Sequence, residues 1–580
     1  MPWKRFLPTE IWCLLHLPRS SQSGYSHPVL WARPLQFRTP AEISPSPDSP
    51  ILRSQHTHQQ LSLSISGAKS FNPLGPVLTA TMADEILDIV VIGAGLSGIN
   101  AAHRLQTELP HLSYTILESR ERVGGTWDFW KYPGARTDSA MAMFGFYWFP
   151  WRRRENMAAA GDIRQYIEDA AASEGIDQKI RFRHRVVEAR WSSDEERWTV
   201  LVDATNPADG SVERKTIKAW WLIGASGYYN YDKPMDTVIP GIDTFGGQVV
   251  HPQFWNDNID YAGKKVIIIG SGATAITLVP AMAEAAEHIT MLQRSPSYIF
   301  ALPRNKHPYF WAKILPTRWT DTLNWWAGMM VETLFVGLLS YFPTFGRNFI
   351  RGEIKKMIPD SIDMDTHFNP SYSPFQQRLC FCPSGDFFKT LRRPDVEIVT
   401  DTIDTVTPTG IRLSSGRTLD ADMIITATGL HMELLSSLEL YVDNTRIDST
   451  MGERFVWNNC MIEGVPNGAV LTGYVATSWT PGADVRTRQI IKVIKHMERT
   501  GATSMTPTVD GGEAERAKFP RRPAMPLTST YAVTAKDRMP MSAFVGPWRL
   551  GTNWVGDMWN LLFGTITKGV RYTYGKRKGD

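Results

Sequence analysis

A strand, a glycine-rich turn and a helix are predicted twice in this chain, first around Gly93 and again around Gly270. The apolar runs ILDIVVI and KKVIII precede the two turns and are typical of parallel strands covered on both faces. Each turn leads into a helix and a further strand, as in dinucleotide-binding folds. The sequence therefore predicts an α/β fold with two Rossmann-like dinucleotide-binding domains and a helical insertion at residues 305–375.

The first turn has the pattern expected of a pyrophosphate site. Its glycines, Gly93, Gly95 and Gly98, allow close approach of the backbone to a phosphate at the start of a helix. The unpaired N–H groups and the helix dipole favour an anion there. Glu118 ends the next predicted strand, where a carboxylate accepts a hydrogen bond from a ribose hydroxyl. This order predicts FAD or NAD at the first turn.

The second turn differs in the residue that follows its second strand. Gly270, Gly272, Ala273 and Thr274 belong to this turn, and Arg294 stands where the first unit has an acid. A guanidinium in this place suits a 2′-phosphate, because it donates bidentate, charge-assisted hydrogen bonds. We therefore expect NADP at the second turn. The alternative for Arg294 is a cation at the end of a strand, in solvent.

Two such sites together predict hydride transfer from NADPH to a flavin. The four cysteines, at positions 13, 380, 382 and 460, form no CxxC pair, and no residues cluster at metal-ligand spacing. Electrons on the flavin must therefore pass to a substrate or to oxygen. The net charge of +4, without basic runs, gives no indication of nucleic acid binding. Buried thiols of this kind are typical of a reducing compartment, so we expect a cytoplasmic protein.

Composition and pattern predict the domain limits. Residues 1–82 are rich in Ser, Pro and His without a sustained period, so we interpret them as a disordered leader or a mis-assigned start, with organelle targeting as the alternative. Ser226-Gly227 and Thr428-Gly429 are the predicted crossovers between domains. The other predicted parts are a first FAD-binding segment (83–228), an NADP-binding domain (229–425), a second FAD-binding segment (426–555) and a basic C-terminal tail (556–580).

Residues 322–342 form a long apolar stretch whose single charge is Glu332. Its length and polarity allow a membrane span. A single crossing would, however, divide one domain between the two sides of a membrane. We therefore predict a buried or interfacial helix pair, with peripheral membrane contact as a further expectation.

Two further motifs resemble the fingerprints of the Baeyer–Villiger and flavin-containing (class B) monooxygenases. The first has the form FxGxxxHxxxW and the second GxWxxxxYPGxxxD, and Asn256 departs from the Pro or Asp that usually closes the first. The resemblance extends from Asp88 to about Asn553 and is closest to the subgroup of the ethionamide-activating monooxygenase. The matching positions are Phe245, Gly247, His251 and Trp255 in the first motif, and Gly125, Trp127, Tyr132, Pro133, Gly134 and Asp138 in the second.

The resemblance implies roles for individual residues. Arg378 is the expected cation that faces a C4a-peroxide of the flavin, and Asp138 is expected to hydrogen-bond to it. Gln377 stands near the position of a family lysine that helps to hold the NADP phosphate, which leaves more of that task to Arg294. In the loop GGTWDFWKYPGARTD, Gly125, Thr126, Trp127 and Tyr132 are expected to wrap the flavin, and Trp479 to line the substrate pocket. His251 is expected to couple domain movement to cofactor handling, with a packed linker histidine as the alternative.

The resemblance implies an FAD- and NADPH-dependent monooxygenase that inserts one oxygen atom of O2 into an apolar small molecule. Trp255 favours Baeyer–Villiger oxidation of a ketone to an ester or lactone, with a secondary metabolite as an expected substrate. The near alternative is N- or S-oxygenation. The distant alternatives are a flavin reductase without oxygen insertion and a non-catalytic nucleotide sensor. The oligomeric state has no sequence signal.

Overall fold

The computed structural model describes residues 85–305, 310–551 and 553–575. The predicted leader at 1–82 lies outside these residues. Within them, both predicted Rossmann-like units are present: a parallel strand leads into a glycine turn and a helix at Leu96–Glu108, and again at Ala273–Met282. The first of these helices ends before Pro110, because proline lacks the N–H that a helix interior requires.

The larger sheet has nine strands and contains the first unit. Its centre is parallel, because Glu85–Ile92 lies between Tyr114–Leu117 and the end of Val212–Gly224. An antiparallel meander extends one side, and Gly468–Val470 also pairs with Val212–Gly224. In spatial order the other strands are Thr445–Arg446, Glu439–Val442, His184–Ser192 and Arg197–Thr205 on that side, and Ile180–Arg181 at the opposite edge.

The second sheet has five strands and is parallel throughout. Its order is Val396–Thr400, His288–Gln293, Lys265–Ile269, Met423–Thr426 and Gln248–Val250. Smaller sheets are formed by Ile403–Thr407 with Gly410–Leu413 and Thr418–Asp420, Ile299–Leu302 with Cys380–Pro383, Val456–Trp457 with Met461–Ile462, Ser504–Pro507 with Val570–Thr573, and Arg522–Pro523 with Met541–Ser542.

The remaining helices cover the sheets and connect them. Besides the two turn helices, the α-helices are Thr126–Phe129, Met141–Phe144, Ala160–Ser173, Thr317–Tyr341, Pro343–Lys355, Met364–His367, Asp386–Thr390, Trp479–Thr500, Gly512–Arg516, Thr530–Val533 and Trp554–Phe563. Short 3₁₀ turns lie at Asp177–Lys179, Ile242–Thr244, Pro252–Phe254, Phe310–Lys313, Leu434–Ser437, Asp448–Glu453 and Gly546–Trp548.

The two crossovers between the sheets lie side by side. Strand Tyr229–Pro234 leaves the first sheet and pairs antiparallel with Leu430–Met432, which returns from the second. Gly227 (φ +83°) and Gly429 (φ +119°) precede these strands in backbone conformations that favour glycine. We call this pair of strands the linker pair.

The predicted apolar helix pair is a bent pair of helices. Thr317–Tyr341, which we call the insertion helix, meets Pro343–Lys355 at an angle of 113°. No single helix among the described residues is long and apolar enough to cross a membrane, whereas the bent pair passes on length and composition alone. The predicted peripheral membrane contact stays a prediction.

The predicted C-terminal tail is partly regular structure. Trp554–Phe563 is a helix that packs on Trp479–Thr500, and Val570–Thr573 pairs with Ser504–Pro507. The basic composition of this segment did not predict the packed structure, because it gives no indication that the side chains of Leu561 and Ile566 are buried.

Candidate active site

In the first glycine turn, the positions of Gly93 and Gly98 have no room for a side chain. A Cβ on Gly98 would lie 1.9 Å from the carbonyl oxygen of Gly93, and Gly93 itself has φ +102°. Glu118, 3% exposed, reaches this turn, and its Oε2 accepts a hydrogen bond from the N–H of Ala94 at 2.8 Å. The turn therefore presents helix N–H groups beside a buried carboxylate, as a dinucleotide site requires.

The second turn has the same construction at the second sheet. Gly270 has φ +138°, and a Cβ on it would lie 2.4 Å from the carbonyl oxygen of Ala427. A Cβ on Gly272 would meet no atom within 4 Å, so the backbone there is open to a ligand. Arg294 follows strand His288–Gln293, is exposed, and donates to the Thr530 hydroxyl at 3.2 Å. Its guanidinium is therefore available at the mouth of this turn.

The loop at 124–138 starts at the first turn. A Cβ on Gly125 would lie 3.0 Å from the Cα of Gly95, so the two backbones are in close contact. The Thr126 hydroxyl lies 3.1 Å from the Tyr231 hydroxyl of the linker pair. Trp127 packs edge-on against Phe144, with 5.4 Å between ring centroids. This half of the loop is anchored in the core of the first sheet.

The same loop ends at the second turn, a contact that the sequence did not predict. The Tyr132 hydroxyl lies near Thr274. Burial raises the pKa of Tyr132 to about 12, although the neighbouring Thr274 favours a lower value. Gly134 has φ +75°, and a Cβ there would lie 2.7 Å from the Ala281 Cβ. The loop thus extends from the first dinucleotide turn to the second, and the expected place of Tyr132 at the flavin stays a prediction.

Arg378 is half-buried between the two units, and one of its terminal nitrogens donates to the Tyr228 hydroxyl. Its Nε is buried and has no partner among the described residues. Burial opposes its charge, but Tyr228, Tyr229, Tyr531 and Asp138 hold the pKa of Arg378 well above its usual value. The residue is thus a permanent cation with a free donor.

The predicted hydrogen bond between Arg378 and Asp138 is not among the contacts of the described residues. Asp138 is near enough for its charge to favour that of Arg378, but its nearest polar contact is the Ser139 hydroxyl at 3.5 Å. The observed acceptor for Arg378 is instead the Tyr228 hydroxyl. Sequence patterns miss such a substitution because Tyr228 is 150 residues away from Arg378.

A stack of aromatic rings connects Arg378 to the first turn. The Trp479 ring lies on Tyr228 with 5.2 Å between centroids and 22° between planes. Its indole N–H donates to the Ser97 hydroxyl at 2.9 Å. Arg378, Tyr228, Trp479 and Ser97 therefore form one chain of contacts from the cation to the first dinucleotide turn.

The His251–Trp255 segment of the first fingerprint supports the linker pair. The side-chain N–H groups of Gln253 donate to the carbonyls of Asn230, Tyr231 and Lys233 at 2.9–3.2 Å. Burial lowers the pKa of His251, and the nearby backbone of Gly429 raises it. Trp255 packs against Tyr261 in the second core.

Comparison with known proteins supplies the family. A family model described as flavin-binding monooxygenase-like matches residues 87–337. The FAD-containing monooxygenase EthA of Mycolicibacterium smegmatis is 42% identical over 476 residues, 82% of this chain and 94% of the relative. The chain belongs to the flavin-binding monooxygenase family. EthA of Mycobacterium tuberculosis (39% identical; 84% of this chain, 98% of the relative) and the probable FAD-binding monooxygenase AlmA of Acinetobacter baylyi (38%; 82% and 93%) are further relatives of this monooxygenase.

Solved structures share the fold of this monooxygenase. A steroid monooxygenase bound to NADP is 21% identical with a TM-score of 0.65, covering 84% of this chain and all of that one. Cyclohexanone monooxygenase from Rhodococcus, bound to NADP+, is 19% identical with a TM-score of 0.65, covering 85% and all of that chain. At these identities the likeness shows the two-domain α/β fold with its helical insertion.

The residues of this monooxygenase fit the flavin and nicotinamide cofactors. The Ser226 hydroxyl, beside Gly93, is buried without a partner among the described residues, and the free Nε of Arg378 is a second unpaired donor. Buried polar atoms of this kind require a partner. The first turn, Ser226 and Glu118 would hold FAD, and the second turn with Arg294 would hold NADP. Gln377, half-buried before Arg378, has no observed role.

Proposed function

We propose that this monooxygenase uses NADPH and O2 to convert a ketone into an ester or lactone. The observation that carries the proposal is the position of Arg378, a permanent cation with an unpaired Nε, joined through Tyr228 and Trp479 to the first turn. FAD, when bound at that turn, takes hydride from NADPH and activates O2. The task of the chain is then to stabilise negative charge on oxygen next to the flavin.

Arg378 meets that requirement without a proton transfer. A guanidinium remains charged and donates in a fixed direction, so its free Nε–H points to a single oxygen position. Preorganised donors of this kind lower an activation barrier by about 3–4 kcal/mol. Asp138 adds a negative charge near the guanidinium and so reduces the cost of burying it.

Aromatic side chains keep water from this charge. Tyr228 is 6% exposed and lies between Tyr229 and the Trp479 ring. Burial raises the pKa of Tyr228, so its hydroxyl is neutral at every physiological pH and does not neutralise Arg378. In a site with little water, the attraction between the guanidinium and an anionic oxygen is stronger than in solvent.

The ketone reaction is favoured over N- or S-oxygenation. Trp255 of the fingerprint is in place, and structural neighbours include enzymes named for cyclohexanone and steroids. N- or S-oxygenation is the second candidate, because the family model that matches is the broader flavin-binding monooxygenase-like one.

A matched pair of substrates tests the proposal. The FAD-loaded protein is incubated with NADPH, O2 and either a substituted cyclohexanone or the thiane of the same shape, and the products are analysed by mass spectrometry. We expect a lactone, with one NADPH consumed per lactone formed. Sulfoxide from the thiane without lactone from the ketone would instead establish the second candidate. NADPH oxidation with neither product, across a panel of large apolar ketones, would contradict both.

A further inference from the structure

The insertion helix carries one buried acid that the proposed function does not use. Glu332 is the only charged residue in the apolar stretch 322–342. Its Oε1 accepts hydrogen bonds from the N–H of Ser478 at 2.7 Å and from the Ser478 hydroxyl at 3.1 Å. Its Oε2 is buried without a partner among the described residues. A carboxyl group with one unpaired oxygen costs stability, so its presence in an apolar helix needs a reason.

Ser478 connects Glu332 to the residues behind Arg378. It is the N-cap of helix Trp479–Thr500, and the next residue is Trp479. Trp479 stacks on Tyr228, and Tyr228 accepts a hydrogen bond from Arg378. Displacement of Ser478 therefore moves the ring that supports Tyr228. One side chain of the insertion helix thus holds the end of the contact chain that leads to the reaction-site cation.

Burial has the largest effect on the ionisation of Glu332. Burial raises its pKa to about 7, the two hydrogen bonds from Ser478 lower it, and the charge of Asp138 raises it. The helix Met141–Phe144, which packs on the insertion helix, has no titratable side chain. On the other packed elements, Arg347 donates to the Tyr372 carbonyl, Asp557 accepts from Tyr474, and Arg351, Glu353 and Asp484 pair with Asp365, Lys356 and Arg104; Lys313 and Lys355 are further cations on these elements.

We propose that Glu332 is a positioning residue of the reaction site, whose carboxyl group holds Ser478 and so keeps Trp479 and Tyr228 in place behind Arg378. The inference rests on the proposed function of Arg378. The ionised carboxylate accepts more strongly than the neutral acid from an N–H at a helix N-terminus, where the helix dipole also favours negative charge. The site is therefore held more firmly as the pH rises through about 7.

Two variants separate positioning from simple packing. Glu332→Gln keeps an acceptor for Ser478 and removes the titration, whereas Glu332→Leu removes both; Glu353→Gln, in an exposed ion pair with Lys356, is the control. The protein with FAD is reduced by NADPH, and its reoxidation by O2 with release of H2O2 is followed from pH 6 to 9 without substrate. We expect the wild type to release H2O2 more slowly above pH 7 than below it. The rate for Glu332→Gln should change less than twofold over this pH range. Glu332→Leu should release H2O2 at least fivefold faster than the wild type.

A second readout needs no cofactor. The pKa of Glu332 is raised in the folded protein, so its contribution to stability is present at low pH and is lost as the pH rises through about 7. The melting temperature of the FAD-free wild type therefore falls between pH 5 and 8 more than that of Glu332→Gln. The proposal would be overturned if the melting temperatures of Glu332→Gln and the wild type depended on pH in the same way. It would also be overturned if H2O2 release by Glu332→Gln kept the pH dependence of the wild type, or if Glu332→Leu released H2O2 at the wild-type rate. Failure of the proposed function would appear separately, as a wild type that makes no lactone.

Discussion

The contact between Arg378 and Tyr228 leaves a positive charge at the proposed reaction site. Tyr228 accepts from the guanidinium and its hydroxyl lies 2.5 Å from that of Tyr229, so two neutral phenols orient one cation. A carboxylate in the same place would have neutralised Arg378. A neutral acceptor fixes the direction of the guanidinium and leaves its charge available to a reacting oxygen.

Replacement of Arg378 tests this arrangement. Arg378→Ala should lower the rate of product formation by roughly a hundred- to a thousandfold, because one preorganised donor is lost. The rate of flavin reduction by NADPH should stay within a fewfold of the wild type. Stopped-flow absorbance and product analysis measure the two steps separately. Tyr228→Phe, which keeps the ring but not the acceptor, should have a smaller effect, and normal oxygenation by Arg378→Ala would remove its assigned role.

Arg294 should determine the choice between the two nicotinamide cofactors. Arg294→Ala should raise the KM for NADPH by roughly ten- to a hundredfold and leave the KM for NADH nearly unchanged, because only NADPH has a 2′-phosphate. Steady-state kinetics with both cofactors gives the comparison. Arg393→Ala, which removes a cation paired with Asp395, is the control. An equal rise for both cofactors would contradict the contact with the phosphate.

At the scale of elements, the two turns differ at single glycines: Gly98 of the first has no room for a Cβ, whereas Gly272 of the second does. Gly98→Ala would place a methyl group 1.9 Å from a carbonyl oxygen, whereas Gly272→Ala meets no atom within 4 Å. We expect Gly98→Ala to destabilise the protein by about 2–3 kcal/mol and to release FAD, since overpacking displaces the backbone. Flavin fluorescence during thermal unfolding measures both effects. Gly272→Ala is the control, and equal loss of FAD would show that the turn is not the binding element.

The insertion helix and the helix Trp554–Phe563 expose a common apolar face. Trp326 and Trp554 pack edge-on with 5.0 Å between centroids, and Trp559 is 68% exposed. Tryptophan is enriched at membrane surfaces, so we expect the protein to sediment with phospholipid vesicles. Trp326→Ser combined with Trp559→Ser should reduce sedimentation severalfold, whereas Val238→Ser, at a separate exposed site, should not. An unchanged bound fraction in the double variant would contradict the expected membrane contact.

The turns were predictable from the sequence, while the contacts between them were not. Glycine spacing and apolar runs are local signals, so Gly93, Gly270 and their helices could be found directly. The contact of Tyr132 with Thr274 and the stack of Tyr228 on Trp479 join residues far apart in the chain. No periodic pattern in the sequence predicts a contact between residues so far apart. Glu332 had a signal, an isolated charge in an apolar stretch, but only the fold shows that it meets Ser478.

At the scale of the whole molecule, the first described strand and the family match begin at nearly the same residue. The first strand starts at Glu85, and the family model matches from residue 87. We expect a chain that starts at Met82 to retain FAD, its melting temperature and its rate of NADPH oxidation within twofold. The full-length chain, purified in parallel, is the reference. Loss of FAD from the shortened chain would show that residues 1–81 contribute to the fold and are not a leader.

The linker pair limits how the two sheets can move. Leu430–Met432 is hydrogen-bonded to Tyr229–Pro234, and Gln253 holds the latter strand by three carbonyls. Two separate connections would allow the two sheets to twist and slide relative to each other in several directions. The strands of the linker pair are hydrogen-bonded edge to edge, so they bend together as one two-stranded ribbon. The nicotinamide half of the enzyme should therefore move together with this ribbon, which bends at its two ends, where Gly227 and Gly429 lie. Each catalytic cycle would then repeat the same arc, and a nicotinamide ring would return to the flavin along the same path.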